Sequence, residues 1–156
     1  MAYHLKHKPE KWISQARVLC IDHGTKTLGL AICNDEQTVV TPMETIHRKK
    51  WKDDSAALDA IMTENDVKAV VIGYPLNMDG SAGARCQSVR DYAILMEERW
   101  PNLTFLFWDE RLSTQNVDKL LDKQRDKTRE KRKVFKDALA AAVILEEALL
   151  WIRNNA

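Results

Sequence analysis

Three acidic positions, far apart in the chain, have the type and setting to do chemistry together: Asp22, the pair Asp109-Glu110, and Asp137. Asp22 closes the apolar run Val18-Leu19-Cys20-Ile21 and is followed at once by His23-Gly24-Thr25-Lys26. A carboxylate at the mouth of a buried strand is costly unless its charge is compensated, and a metal ion or a phosphate-bearing ligand would do so. Asp109-Glu110 follows a second apolar run, Leu103-Thr104-Phe105-Leu106-Phe107-Trp108, and Asp137 opens the apolar stretch of a C-terminal helix. Carboxylates converging from such elements are the donor set that Mg²⁺ or Mn²⁺ prefers, because these cations take oxygen ligands and keep waters and substrate phosphates around them. Neighbours on an extended strand point to opposite faces, so Asp109 and Glu110 should not both reach one metal unless the chain turns there.

Each residue also has a plain structural use. Asp22 could close a hairpin turn, Glu110 could pair with Arg111 or Lys26, and Asp137 could favour the positive end of its helix. His23 reads as a packing or hydrogen-bonding residue, as a lone histidine more often is. No Ser/His/Asp set with its local context and no GxxxxGK[ST] loop is visible.

The elements that must position these residues read as α/β. Arg17 to Asp22 and Leu28 to Cys33 form a hairpin across a glycine turn. Thr38-Val39-Val40 and Glu44-Thr45-Ile46 suggest a third strand, interrupted at Pro42. Residues 53–65 carry Ala57, Leu58, Ile61 and Met62 at helical spacing, and Val70-Val71-Ile72 reads as a buried parallel strand. A second helix carries Val89, Tyr92, Ala93 and Met96, and the strand Leu103 to Trp108 follows Pro101. Ser113 looks like a helix cap before Val117, Leu120 and Leu121, and the last helix spans about 133–153. A hairpin followed by β-α-β units predicts a mixed sheet with helices on both faces. Its crevice should lie at the carboxyl ends of the strands, where Asp22, Asn77 and Asp109-Glu110 all fall. Trp51, Trp100, Trp108 and Trp151 are expected in the core, and Trp12 is the least constrained.

With 156 residues the chain suits one domain, expected at 17–156 behind an N-terminal extension, 1–16. A 45% hydrophobic and 30% charged composition fits a globular protein. No apolar run approaches the roughly 20 residues that span a bilayer, and residues 1–15 lack the apolar segment of a secretory signal. Cys20, Cys33 and Cys86 are odd in number, without CxxC spacing, and read as reduced thiols of a cytoplasmic protein. A net charge of +1 hides a basic segment from Lys123 to Lys136, which includes Lys131, Arg132 and Lys133. Such a run is either a solvated face or a patch for phosphate backbones, and its place just before Asp137 favours the latter.

The motifs carry a resemblance. Asp22-His23-Gly24-Thr25-Lys26 with Gly29, Thr41-Pro42-Met43-Glu44-Thr45-Ile46, Gly73-Tyr74-Pro75-Leu76-Asn77-Met78-Asp79-Gly80, Asp109-Glu110-Arg111-Leu112-Ser113-Thr114 and Lys136-Asp137-Ala138-Leu139-Ala140-Ala141 occur in order. The chain thereby resembles the YqgF (RuvX-type) family of Holliday-junction resolvases, also described as pre-16S rRNA nucleases. Tyr74 stands where that pattern has Leu. The resemblance implies a ribonuclease-H-like fold and a metal-dependent nuclease with Asp22, Glu110 and Asp137 as catalytic and metal-binding residues, Mg²⁺ or Mn²⁺ as cofactor, and Asp109 as a further possible ligand. Lys26, Asn77, Arg111, Ser113, Thr114, Lys131, Arg132 and Lys133 are the candidate substrate contacts. The expected partner is precursor ribosomal RNA or branched DNA, with no membrane, and the expected state is a monomer or weak homodimer. A non-enzymatic RNA-binding ribosome-assembly factor on the same fold is the alternative. Length argues against an actin-like or sugar-kinase ATPase, which also opens on Asp-x-Gly-Thr but needs two such domains.

Overall fold

The computed structural model describes residues 3–4, 12, 14–77, 79–109 and 129–154, with side chains of the last stretch described from 136. In chain order the elements are β1 (Tyr3–His4), β2 (Arg17–His23), β3 (Thr27–Cys33), β4 (Val40–Pro42), β5 (Ile46–His47), α1 (Trp51–Glu64), β6 (Val67–Tyr74), α2 (Ala84–Arg99), β7 (Thr104–Asp109) and α3 (Arg129–Asn154). The strands form one sheet in the order β1-β7-β6-β2-β3-β4, with β5 also on β3. β1, β7, β6 and β2 run parallel, whereas β3 is antiparallel to β2, β4 and β5. The carboxyl ends of β2, β6 and β7 therefore share one edge of the sheet.

Alternation along the strands divides the interior in two. Leu19, Ile21, Leu28, Leu30, Val70, Ile72, Phe105 and Phe107 face α1 and α2, where Leu58, Met62, Val89 and Met96 complete the core. Val18, Cys20, Ala31, Cys33, Ala69, Val71, Leu106 and Trp108 face α3, which contributes Ala141, Ala142, Leu145, Ala148 and Leu149. Strands buried on both faces explain why β2 and β6 read as unbroken apolar runs. All three cysteines are free and buried.

The expected third strand is two short pieces, β4 and β5, and Pro42 is the last residue of the first. Proline has no N–H to give a ladder, so it sits where pairing stops. Trp12 is more constrained than expected. Its indole Nε1 donates to Gln37 Oε1 at 3.2 Å, and the ring packs on the α3 side of the core. Tyr3 and His4 pair with Leu106 and Phe107, so part of the N-terminal segment extends the sheet. The helix expected after Ser113 lies outside the described residues. Among the described residues, no helix is long and apolar enough to cross a membrane.

The seating of α3 on β3 matters most for function. A Cβ added to Gly29 would lie 2.2 Å from the backbone carbonyl oxygen of Asp137 and 2.7 Å from its carbon. Only a residue without a side chain allows this approach. Gly29→Ala must push α3 off the sheet, and such overpacking costs about 1–3 kcal/mol. Urea unfolding should show a loss of that size, and an unchanged midpoint would mean that α3 is not seated on Gly29.

Candidate active site

Asp22 and Asp137 are brought to the same place by that contact. Asp22 is the cross-strand partner of Gly29 in the β2–β3 hairpin. By strand alternation it shares the α3 side with Val18 and Cys20. Asp137 lies on α3, its backbone directly over Gly29. Thr27, two residues before Gly29 and on the same face, donates its hydroxyl to Asp137 Oδ2 at 2.8 Å. That bond fixes the rotation of the Asp137 carboxylate. Both aspartates are partly buried, so their charges sit at a rim where burial weakens solvation without removing it.

Asp109 goes elsewhere. It is the partner of Tyr74 across β6 and β7, and the alternation of Phe105 and Phe107 puts it on the α1/α2 side. It is 6% exposed, on the face opposite Asp22. Glu110, Arg111, Ser113 and Thr114 lie outside the described residues. Lys131, Arg132 and Lys133 fall within α3, in a part whose side chains are not described. Among the described residues, no group of three or more His, Cys, Asp or Glu is arranged to hold a metal. Asp22 and Asp137 supply hard oxygen donors of the kind Mg²⁺ and Mn²⁺ take, and a third donor would have to come from outside the described set.

Lys26 is exposed on the β2–β3 turn, shortly after Asp22 and next to Thr27 in sequence. Asn77 is also exposed, but its amide nitrogen donates to Ser81 Oγ at 3.0 Å. Asp79 Oδ1 accepts from the Ser81 amide at 2.9 Å and from its hydroxyl at 2.6 Å. Gly80 carries the positive φ of 88° that lets this loop close. In the structure, then, Asn77 laces its own loop at the carboxyl end of β6.

On the other face of the same edge lies a cluster that the motifs did not announce. His23, 4% exposed, stacks at 4.6 Å from Tyr92. Arg85 of α2 approaches His23 Nδ1 at 3.4 Å and donates to the His23 carbonyl. The Arg48 guanidinium lies 5.2 Å above the Tyr92 ring. Burial, with Arg48 and Arg85 nearby, lowers the His23 pKa from 6.5 to about 4. A neutral imidazole on the face away from Asp22 is a packing residue, as the sequence suggested. Burial and the adjacent Asp54 carboxylate raise the Tyr92 hydroxyl above its ordinary value. Thr27 was findable from strand parity with Gly29. Arg48 and Arg85 stand at no spacing that would single them out.

A family model described as "RuvX: Holliday junction resolvase" matches residues 16–150. The chain belongs to the RuvX family. Relatives support the assignment along most of the length. A protein of Ruegeria pomeroyi is 45% identical, with 86% of each chain covered. One of Beijerinckia indica is 44% identical, covering 90% of this chain and 86% of its own. Both carry the name "Putative pre-16S rRNA nuclease". Among solved structures, RuvC of T. thermophilus in complex with a Holliday junction substrate has a TM-score of 0.55 at 16% identity, covering 90% of this chain and 98% of that one. The yeast mitochondrial resolvase Ydc2 has a TM-score of 0.51 at 14% identity, covering 94% and 85%. At these identities the likeness is one of fold, and this RuvX chain has the ribonuclease-H-like architecture.

The His23 environment makes a prediction about pH. The folded-state pKa lies below the unfolded value, so below 6.5 the unfolded chain takes up a proton that the folded one refuses. The His23 contribution is intact above pH 6.5 and is lost as pH falls toward 4, up to about 3 kcal/mol. Denaturant titrations across this window should show a slope that His23→Gln flattens. Equal slopes in the two proteins would place His23 in contact with water.

Proposed function

We propose that this RuvX chain is a metal-dependent nuclease that hydrolyses phosphodiester bonds in structured RNA, with the 5′ region of precursor 16S ribosomal RNA as its substrate. The observation that carries the reading is that the Asp137 backbone lies over Gly29, the cross-strand partner of Asp22, at the carboxyl edge of the sheet. The names of relatives 43–45% identical supply the substrate class. Glu110 is the proposed third carboxylate. Asp109 lies on the face opposite Asp22, which favours Glu110 over it. Precursor ribosomal RNA in bacteria is made in the cytoplasm, which is where this reading puts the chain.

The chain's own groups have distinct parts. Asp22 and Asp137 provide negative oxygen donors, and Thr27 holds one of them in a set orientation. A bound Mg²⁺ or Mn²⁺ supplies acidification of the attacking water and charge stabilisation on the leaving oxygen. Lys26, exposed on the turn after Asp22, is the proposed contact for a phosphate of the substrate strand. Water adds to phosphorus, the bond to the 3′ oxygen breaks, and the products are a 5′-phosphate and a 3′-hydroxyl. Lys131, Arg132 and Lys133, on the same helix as Asp137, are proposed to track the flanking backbone.

A second reading has its own support, because the family model carries the description of a Holliday junction resolvase. Side-by-side cleavage of a precursor 16S fragment and a four-way DNA junction, with Mg²⁺ or Mn²⁺, separates the two. Cleavage of the RNA to 5′-phosphate ends supports the first, and paired symmetric cuts in the junction support the second. Binding without cleavage of either would make the chain a non-enzymatic assembly factor.

Two further outcomes are expected. Asp22→Asn and Asp137→Asn should each abolish cleavage and remove the rise in melting temperature that added Mn²⁺ gives the wild type. Retained cleavage would remove the aspartates from the site. Replacing Lys131, Arg132 and Lys133 together with alanine should lower the magnitude of the slope of log K against log salt by about 0.7–0.9 for each phosphate that is no longer neutralised. An unchanged slope would make this run a solvated surface.

A further inference from the structure

The turn between β2 and β3 is held by its carbonyls, and two arginines do most of the holding. Arg85 donates to the His23 carbonyl. Arg48 Nη1 donates to the Gly24 carbonyl at 2.8 Å and reaches that of Thr25 at 3.4 Å. The Arg48 backbone amide donates to the Lys26 carbonyl at 2.8 Å. Four consecutive carbonyls, His23 to Lys26, are thus taken by two residues from separate parts of the chain. The turn itself is closed by the Gly24 amide on the Thr27 carbonyl at 2.9 Å.

Neither arginine is where local preference would put it. Arg85 occupies the first turn of α2, which contains no acidic residue, so its charge opposes the positive end of the helix. Arg48 is partly buried against Tyr92. Its surroundings are built up in turn. Trp51 meets Tyr92 edge-on at 5.1 Å, and Asp54, buried, accepts from the Lys49 amide at 2.9 Å and from the Tyr92 hydroxyl at 3.4 Å. α1, α2 and the segment after β5 therefore all converge beneath one turn. That turn joins His23 to Thr27; Asp22 immediately precedes it on β2, and Thr27 is the residue that holds Asp137.

We propose that Arg48 and Arg85 are positioning residues that grip the His23–Lys26 carbonyls and so set the spacing of Asp22 and Thr27, and through Thr27 the orientation of Asp137. The inference rests on the nuclease reading above. A guanidinium presents several donors in a rigid fork, which suits bonding to two successive carbonyls, whereas a lysine ammonium is a point charge on a flexible stem. Loss of either clamp leaves both aspartates present but frees the turn between them. Groups that orient metal ligands without touching the metal typically change affinity by about 10- to 100-fold when removed.

The test compares Arg48→Ala, Arg48→Lys, Arg85→Ala, Arg85→Lys and Asp22→Asn in the full chain. Direct Mn²⁺ binding is measured by calorimetry, together with the Mn²⁺ concentration for half-maximal cleavage and the metal-free melting temperature. Both alanine variants should weaken Mn²⁺ binding by about 10- to 100-fold and shift the cleavage midpoint in parallel. Maximal cleavage should recover at saturating Mn²⁺. Lysine should restore the affinity only in part. Arg48→Ala removes packing on Tyr92, so if it fails to fold, Arg85→Ala decides the matter. Alanine variants with wild-type Mn²⁺ affinity, whatever their melting temperatures, would overturn the positioning role while leaving the nuclease reading intact. Wild-type protein that binds no Mn²⁺, or Asp22→Asn that binds it normally, would instead bring down the site assignment and this inference with it.

Discussion

Helix α3 rests on β3 at a distance that admits no side chain, and the rest of the site depends on that contact. The Asp137 carbonyl lies where a Cβ on Gly29 would be. Helix and strand usually keep apart by the thickness of the side chains between them, so an approach this close has to be built from small residues. Gly29 supplies it on the strand, and Ala138, Ala141 and Ala142 keep the following turns of the helix low against the sheet. The register of the hairpin then places Asp22 opposite Gly29. One glycine thus brings together a strand-end carboxylate and a helix carboxylate that have no local reason to meet.

The same sheet edge has two chemically different faces. Toward α3 are Asp22, Thr27 and Asp137. Toward α1 and α2 are His23, Arg48 and Arg85, packed around Tyr92. Only a turn separates them. Clustered carboxylates repel one another, and positive groups on the opposite face of the same edge lower that cost in a medium less polar than water. The guanidinia bond to carbonyls of the turn, from the face opposite Asp22. His23 completes the separation, since an imidazole held neutral adds no third positive charge to the cluster.

Much of this was legible in the sequence, and the reasons differ by element. The strands around Val18-Leu19-Cys20-Ile21 and Val70-Val71-Ile72 were legible because burial on both faces leaves apolar runs with few alternatives. Placing α1 and α3 took only their apolar spacing. Strand parity said that Asp109 and Glu110 should not both reach one metal but left open which would, and the pairing with Tyr74 puts Asp109 on the face opposite Asp22. What was not legible depended on contacts distant in sequence. Nothing near Trp12 announces Gln37, 25 residues on. Arg48 and Arg85 look like ordinary surface arginines until the sheet brings the turn between them. Asn77 was read as a substrate contact from its motif, and its bond to Ser81 was not legible because it depends on how the loop folds back.

The bond between Thr27 and Asp137 spans 110 residues of sequence. It can form only after the hairpin, the parallel strands and the last helix have all assembled, since contacts so distant in the chain repay their ordering cost late. A chain with α3 undocked would still have a formed hairpin and an intact Asp22, but no second carboxylate beside it. Any cation that needs both aspartates therefore binds the docked state alone, and its binding energy favours docking by the amount of that difference. Metal affinity and the seating of α3 are in this way two readings of one equilibrium. A substitution at Gly29, which touches neither carboxylate, acts on both at once, because it changes the distance at which the helix can lie.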